Sequence, residues 1–315
     1  MSNNIKQEMN KIEIPKELHE KTKLGVSQAK QEMKNTKKKY NVKVIGIAAA
    51  LLISIGAFAL FNNGLNDTAN HPATPFITDD GGVNIPEIQL SEGNMNADMI
   101  GLIVYNGKIY TQTRSEIDAK AAKDILGEKL GTTKGTIDEW SKKEAYDEEF
   151  ASTVGKTDVY AVKGYDKNFR IMTYQEQNGK IYAEFFENLN GIKINSGQDI
   201  FGKLNMVGNI SSAQYRTFSD WDNSIDNYQS ITDMETINTF VTELNKAKPF
   251  PRTQNSDPIS NSRTDEQYRE LSIHLEDGTT VRLTLLKEGY IYYGFMGAYF
   301  EINKNVFSKL WSNLE

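Results

Sequence analysis

The sequence predicts an α+β protein: a single transmembrane helix joined to an extracytoplasmic antiparallel α+β domain. Three observations predict this. An uncharged apolar run occupies residues 44–61. The charge changes sign across that run. Beyond it, short β-type runs and Asn-Gly turns alternate with isolated helical patterns.

The chain has 315 residues and a formal net charge of −6, which hides an asymmetry. Residues 1–43 carry 11 Lys and 5 Glu, a net of +6. Residues 62–315 carry 25 basic and 37 acidic side chains, a net of −12. Opposite charge on the two sides of an apolar run is a topology signal. The chain has no cysteine, which excludes disulfides, zinc thiolate sites and thiol nucleophiles. A large outer domain without disulfides fits a bacterial envelope.

Residues 1–41 are expected to form a basic amphipathic segment on the cytoplasmic side. Pro15 stands where a helix accepts proline, in its first turn. Leu18, Val26, Ala29 and Met33 then fall near one face at helical spacing. Lys16 with Glu20, and Glu17 with Lys21, are i, i+4 pairs on the outer face. A lone helix has no core of its own, so its apolar stripe needs anionic lipid or a cytoplasmic partner.

Residues 42–61 are expected to span the membrane, with Val44, Ile45, Leu51, Leu52, Ile53, Phe58, Leu60 and Phe61 in lipid. Crossing about 30 Å of hydrocarbon takes roughly 17–25 apolar residues. Lys37, Lys38, Lys39 and Lys43 flank the N-terminal end at headgroup depth, and residues 62–75 contain no Lys or Arg. The positive-inside rule therefore puts the N-terminus in the cytoplasm. Ala57-Phe58-Ala59 imitates a signal-peptide cleavage site, but the 43 residues before the run far exceed a signal n-region. Gly46, Ala50 and Ser54 recur every fourth residue, either as a helix-dimerisation face or as ordinary membrane-helix composition.

Residues 62–98, rich in Asn, Asp, Gly, Thr and Pro, read as a stalk or linker. Residues 99–210 and 211–315 read as two α+β sub-domains, with one folding unit as the alternative. In the first, Asn106-Gly107 and Asn178-Gly179 mark hairpins, each followed by Lys-Ile-Tyr. That echo is either a duplication or one hairpin chemistry used twice. Residues 116–126 have helical spacing, and strands are expected over 158–163, 169–175 and 180–188. In the second, residues 214–218 read as a strand. Residues 233–246 read as a helix with Ile237, Phe240, Val241 and Leu244 inward, capped by Thr232 or Asp233. Residues 249–263 read as a loop. A hairpin is expected around Asp277-Gly278, then strands over 290–295 and 299–302 and a closing helix over 307–314.

Chemistry-bearing motifs are sparse. The three histidines, His19, His71 and His274, are too dispersed for a triad or a local metal pair. His274 is expected to face solvent. No P-loop, GxSxG or HExxH pattern occurs. Asp79-Asp80, Asp147-Glu148-Glu149 and Asp220/Asp222 read as solvated charge, and Asp220-Trp221-Asp222-Asn223 lacks the spacing of a calcium loop. No catalytic, cofactor or metal residue is assigned, and no cofactor is expected. Tyr290, Tyr292, Tyr293 and Tyr299 are either core or an exposed binding ridge for peptide or glycan. The acidic outer part argues against nucleic acid. The expected partners are the bilayer, a cytoplasmic regulator and an unidentified outer ligand.

Ile14-Pro15-Lys16-Glu17-Leu18, a Lys/Glu helix through Lys39, one membrane helix and a large outer domain together resemble a known family. It is that of the membrane-bound anti-sigma-type regulators of low-GC Gram-positive bacteria. The resemblance covers roughly the first 60 residues. It implies that the inner segment holds a sigma factor and that the outer domain senses envelope stress. The sequence thus favours a non-enzymatic envelope sensor or binder. A membrane-anchored cell-wall enzyme and a structural interaction domain stay open.

Overall fold

In the computed structural model, which describes residues 74–88, 100–138, 141, 143–253 and 257–315, turn chemistry sets the strand pairing. Strands β1 (Phe76–Ile77) and β2 (Val83–Ile85) come first. Then β3 (Leu102–Tyr105) and β4 (Lys108–Gln112) are joined by Asn106-Gly107 with φ of 52° and 68°. Positive φ at both central residues gives the turn the twist of its strands, and Asn and Gly accept it most readily. β5 (Ser115–Ile117), β6 (Leu126–Thr132) and β7 (Asp158–Val162) follow. Asn178-Gly179, with φ of 53° and 72°, joins β8 (Arg170–Gln177) to β9 (Lys180–Glu187).

The remaining strands are β10 (Ile192–Ile194), β11 (Ile210–Thr217), β12 (Gln229–Ile231), β13 (Lys248–Pro251) and β14 (Tyr268–Leu275). After them come β15 (Thr279–Leu286), β16 (Tyr290–Tyr292) and β17 (Ala298–Glu301). Among the described residues three α-helices accompany them: α1 (Phe218–Asp222), α2 (Met234–Leu244) and α3 (Lys304–Ser312). Asp233 caps α2 by accepting from the Thr236 amide, and Asn303 caps α3.

Among the described residues these strands form three antiparallel sheets. β1-β2-β10 is the smallest, and β3-β4-β9-β8-β7-β6 is six-stranded. The eight-stranded sheet runs β12-β11-β14-β15-β16-β17-β13, with β5 added alongside β15. Alternation along the strands gives this last sheet two unlike faces. Leu271, Ile273 and Leu275 of β14 and Val281, Leu283 and Leu285 of β15 lie in the main core. Ile237, Phe240, Val241 and Leu244 of α2 and Phe307, Leu310 and Trp311 of α3 share that core. The opposite face carries Glu270, Ser272 and His274 beside Arg282 and Thr284.

The α+β class therefore holds, dominated by strands, and four expectations change. Residues 116–126 are not an α-helix: Ser115–Ile117 pairs with Thr279–Val281, and turns anchored on the Asp118 carbonyl follow. Sheet pairing overrides the helical spacing there. Residues 249–263 are not all loop, because Lys248–Pro251 pairs with Ala298–Glu301. Its two prolines are tolerated because an edge strand serves one neighbour only. Within the stretch expected as linker, Val83 and Ile85 are buried in the main core, so folded structure starts before Met99. Finally, β5 belongs to the sheet of the second half, although its residues lie in the first. The expected cytoplasmic helix and membrane span lie outside the described residues. Among the described residues no helix is long and apolar enough to cross a membrane.

Gly197 shows how closely the parts approach. Its amide donates to the Ala247 carbonyl at 2.8 Å, and a Cβ there would stand 1.7 Å from the Leu244 oxygen at the end of α2. The obstacle is backbone, which cannot swing aside like a side chain. Gly197→Ala is expected to cost about 1–3 kcal/mol. Equilibrium denaturation would show a lower midpoint with an unchanged slope.

Candidate functional site

Two arginine-centred clusters dominate the polar interior. The first joins the six-stranded and eight-stranded sheets. Arg170 on β8 donates from Nε and Nη2 to Glu187 Oε1 on β9, at 2.9 and 2.5 Å, and both side chains have no exposed surface. Arg170 Nη2 also donates to Ser115 Oγ on β5 at 3.0 Å. The Tyr293 hydroxyl donates to Glu187 Oε2 at 2.6 Å and lies 2.7 Å from Ser115 Oγ.

The Arg170 guanidinium lies between the rings of Tyr165 and Phe185, each 4.4 Å away. Its Nη1 has no hydrogen-bond partner, and the electron-rich ring faces are what it meets. Burial is the largest influence and would lower the arginine's pKa, but Glu187, Tyr293 and Tyr165 together raise it overall. Burial, then the Glu187 charge, pushes the Tyr293 hydroxyl well above its ordinary value.

The second cluster lies on the polar face of the eight-stranded sheet. Glu270, buried on β14, receives three arginines. Arg216 Nε on β11 donates at 2.7 Å, Arg114 Nη1 at 3.0 Å, and Arg282 Nη1 on β15 stands at 3.7 Å. Arg282 Nη2 also donates to Glu116 Oε2 at 2.6 Å, and its Nη1 donates to the Tyr228 hydroxyl at 3.0 Å. Burial opposes the Arg282 charge, yet Glu116 and Glu270 raise its pKa overall. The Tyr228 ring faces the guanidinium carbons of Arg216 and Arg282 at 5.0 and 5.9 Å, and Arg114 lies over Trp221 at 5.2 Å. Sequence reading missed this cluster, because partners such as Arg282 and Glu116, 166 positions apart in the chain, give no local pattern. β5 connects the two clusters: Arg114 and Glu116 reach the polar face while Ser115 between them reaches Arg170.

The anticipated site residues fare differently. Tyr292, Tyr293 and Tyr299 are buried and Tyr290 is partly buried, so they are not an exposed ridge. Tyr290, Tyr292 and Tyr299 pack with Tyr268, Phe218, Trp221 and Phe250 in one aromatic cluster. Tyr293 belongs instead to the main core and the Arg170 cluster. The Tyr292 hydroxyl donates to Asp257, which pairs with Arg252 at 2.6 Å.

His274 is partly buried rather than solvent-facing. Its Nδ1 lies 2.9 Å from Thr280 Oγ1, and burial, then Arg282, lowers its pKa. Asp80 pairs with Lys193 and Glu148 with Lys134, while Asp220 lies in the first turn of α1, where its amide donates to the capping Thr217 hydroxyl and its carboxylate accepts from it. Among the described residues no group of three His, Cys, Asp or Glu converges as for a metal ion. The residues expected to face lipid (44–61) or headgroups (Lys37, Lys38, Lys39 and Lys43), and the expected stripe of Leu18, Val26, Ala29 and Met33, lie outside the described residues.

Comparison of the chain with protein-family models, with curated proteins and with solved structures gives no match.

Removing one partner of a buried ion pair strands the other charge, at about 3–5 kcal/mol. Arg170→Met and Glu187→Leu should each cost that much. The double variant should cost less than the sum, which a double-mutant cycle in urea would measure. A pH effect is expected at Glu184 on β9, where burial raises the carboxyl pKa even though Gln112 Nε2 donates to it at 2.6 Å. The folded state thus holds that proton more tightly than the unfolded chain. Its contribution is full below the unfolded pKa of about 4.3 and is lost as pH rises through the folded value. Glu184→Gln should therefore be more stable than the parent at pH 7, with the gap closing in acid. Thermal melts across pH would test this.

Proposed function

We propose that this chain is a single-pass membrane protein. Its N-terminal segment is cytoplasmic, and its acidic α+β module binds or senses a ligand outside the cell. One observation carries the reading: an uncharged apolar run of 18 residues separates a segment of net +6 from one of net −12. The first described strand, Phe76–Ile77, lies on the C-terminal side of that run.

The chemistry of the module supports binding over catalysis. A general acid or base needs a proton-exchanging group free to meet its substrate. The two most buried glutamates, Glu187 and Glu270, are instead held by arginines. The polar sheet face, with its arginines and aromatic rings, supplies directional donors and flat apolar walls, the materials of a recognition surface.

On the inner side, we propose that the stripe of Leu18, Val26, Ala29 and Met33 docks a cytoplasmic regulator. The resemblance to anti-sigma-type regulators makes that regulator a sigma factor. Outward binding would then be reported by the single helix.

External protease applied to intact cells is expected to digest the C-terminal module and leave a small membrane-bound remnant. Survival of the full-length chain under conditions that digest a known surface protein would refute the topology. Sigma factor co-purifying with the full chain, and lost with Leu18→Asp and Val26→Asp together, is the expected result for the inner partner.

A further inference from the structure

We propose that the arginine cluster on the polar face of the eight-stranded sheet is a binding site for a small oxyanion, a phosphate or carboxylate group. The site would lie at the outward edges of Arg114 and Arg282. This deepens the binding reading above but does not depend on the membrane topology.

Charge balance is the first argument. Arg114, Arg216 and Arg282 converge on Glu270, and the one further close carboxylate is Glu116. Asp226 approaches Arg216 only to 3.9 Å and is 90% exposed, so water screens it. Three guanidiniums against two close carboxylates leave a local positive surplus inside a segment of net −12. Like charges held this close are stabilised by one more anion.

Unmet hydrogen-bonding capacity is the second argument, and it is independent of charge. Ser272 is fully buried and its Oγ has no partner. Directly across the β14–β15 ladder is Arg282, whose Nε is also buried and unpartnered. Two neighbouring unsatisfied groups on one sheet face, beside a charge surplus, show that the protein's own acceptors do not saturate this face.

Accessibility and shape complete the case. Arg114 and Arg282 keep 17% and 18% of their side-chain surface exposed, while Glu270 beneath them keeps 2%. Trp221 and Tyr228 flank the two arginines and orient them by cation–π contact. A planar guanidinium fork matches two oxygens of a phosphate or carboxylate. The acidic surroundings repel a polyanion more than a small ion, so the site favours a single oxyanion group over a charged polymer.

The test uses the full-length chain in detergent micelles, titrated with inorganic phosphate at constant ionic strength. A saturable rise in melting temperature is expected, absent when chloride replaces phosphate. Arg282→Gln should weaken phosphate binding at least tenfold, and Arg282→Lys, which keeps the charge but loses the fork, should fall between. Lys287→Gln, on an exposed turn, should bind as the parent does. Should Arg282→Gln lose its cooperative melt, Arg114→Lys takes its place with the same expected weakening.

Polyphosphate is the polymer arm, and it should bind no tighter per site than phosphate. Absence of any saturable phosphate effect on the parent chain overturns the site. So does an Arg282→Gln isotherm identical to the parent's, and tighter binding of polyphosphate overturns the small-ion assignment. None of these outcomes alters protease accessibility on cells, so the site and the topology can fail separately.

Discussion

The structure depends on one buried ion pair, Arg170 with Glu187, set where the two large sheets meet. Neither side chain touches solvent, so each is tolerated there because the other is its partner. Glu187 and Arg170 belong to adjacent strands of the six-stranded sheet. Ser115, which completes their hydrogen bonds, comes from the eight-stranded sheet, and Tyr293 directly follows that sheet's strand β16. An apolar contact would tolerate a small slip between the sheets. This network does not, because hydrogen bonds are directional and a buried charge left unmatched is costly.

That constraint passes to the polar sheet face through three consecutive residues. Ser115 and Glu116 point to opposite sides of β5 and Arg114 immediately precedes it, so the segment that contributes to the buried pair also contributes to the arginine cluster. Holding Ser115 in place holds Arg114 over Trp221 and against Glu270. The helices α2 and α3 secure the same sheet from its other face by apolar packing. The arginine face is therefore backed by a rigid layer, which suits a surface that must present fixed donors to a ligand.

Local chemistry was legible in the sequence, and distant partnership was not. Asn106-Gly107 and Asn178-Gly179 announced their hairpins because positive φ is a property of the dipeptide itself. The helix over Met234–Leu244 was legible from Ile237, Phe240, Val241 and Leu244 and from its Asp233 cap. The helical spacing of residues 116–126 misleads at residues 116–117, because their strand partner, residues 279–280, lies far along the chain. Lys248–Pro251 was obscured by two prolines that only an edge position permits. The candidate site itself was invisible: arginine and glutamate read as surface residues unless their partners are known, and those partners are up to 166 positions apart. The tyrosines of residues 290–299 were correctly singled out as dense, but most are packing rather than a ridge.

Native-state hydrogen exchange of the module tests most directly whether the Arg170–Glu187 pair makes the two large sheets one cooperative unit. A shared unit requires the slowest amides of β8 and β9 and those of β14 and β15 to exchange through the same global opening, with equal free energies and equal sensitivity to denaturant. If β8 and β9 opened at distinctly lower free energy while β14 and β15 stayed protected, the sheets would be independent and the ion pair would not unite them.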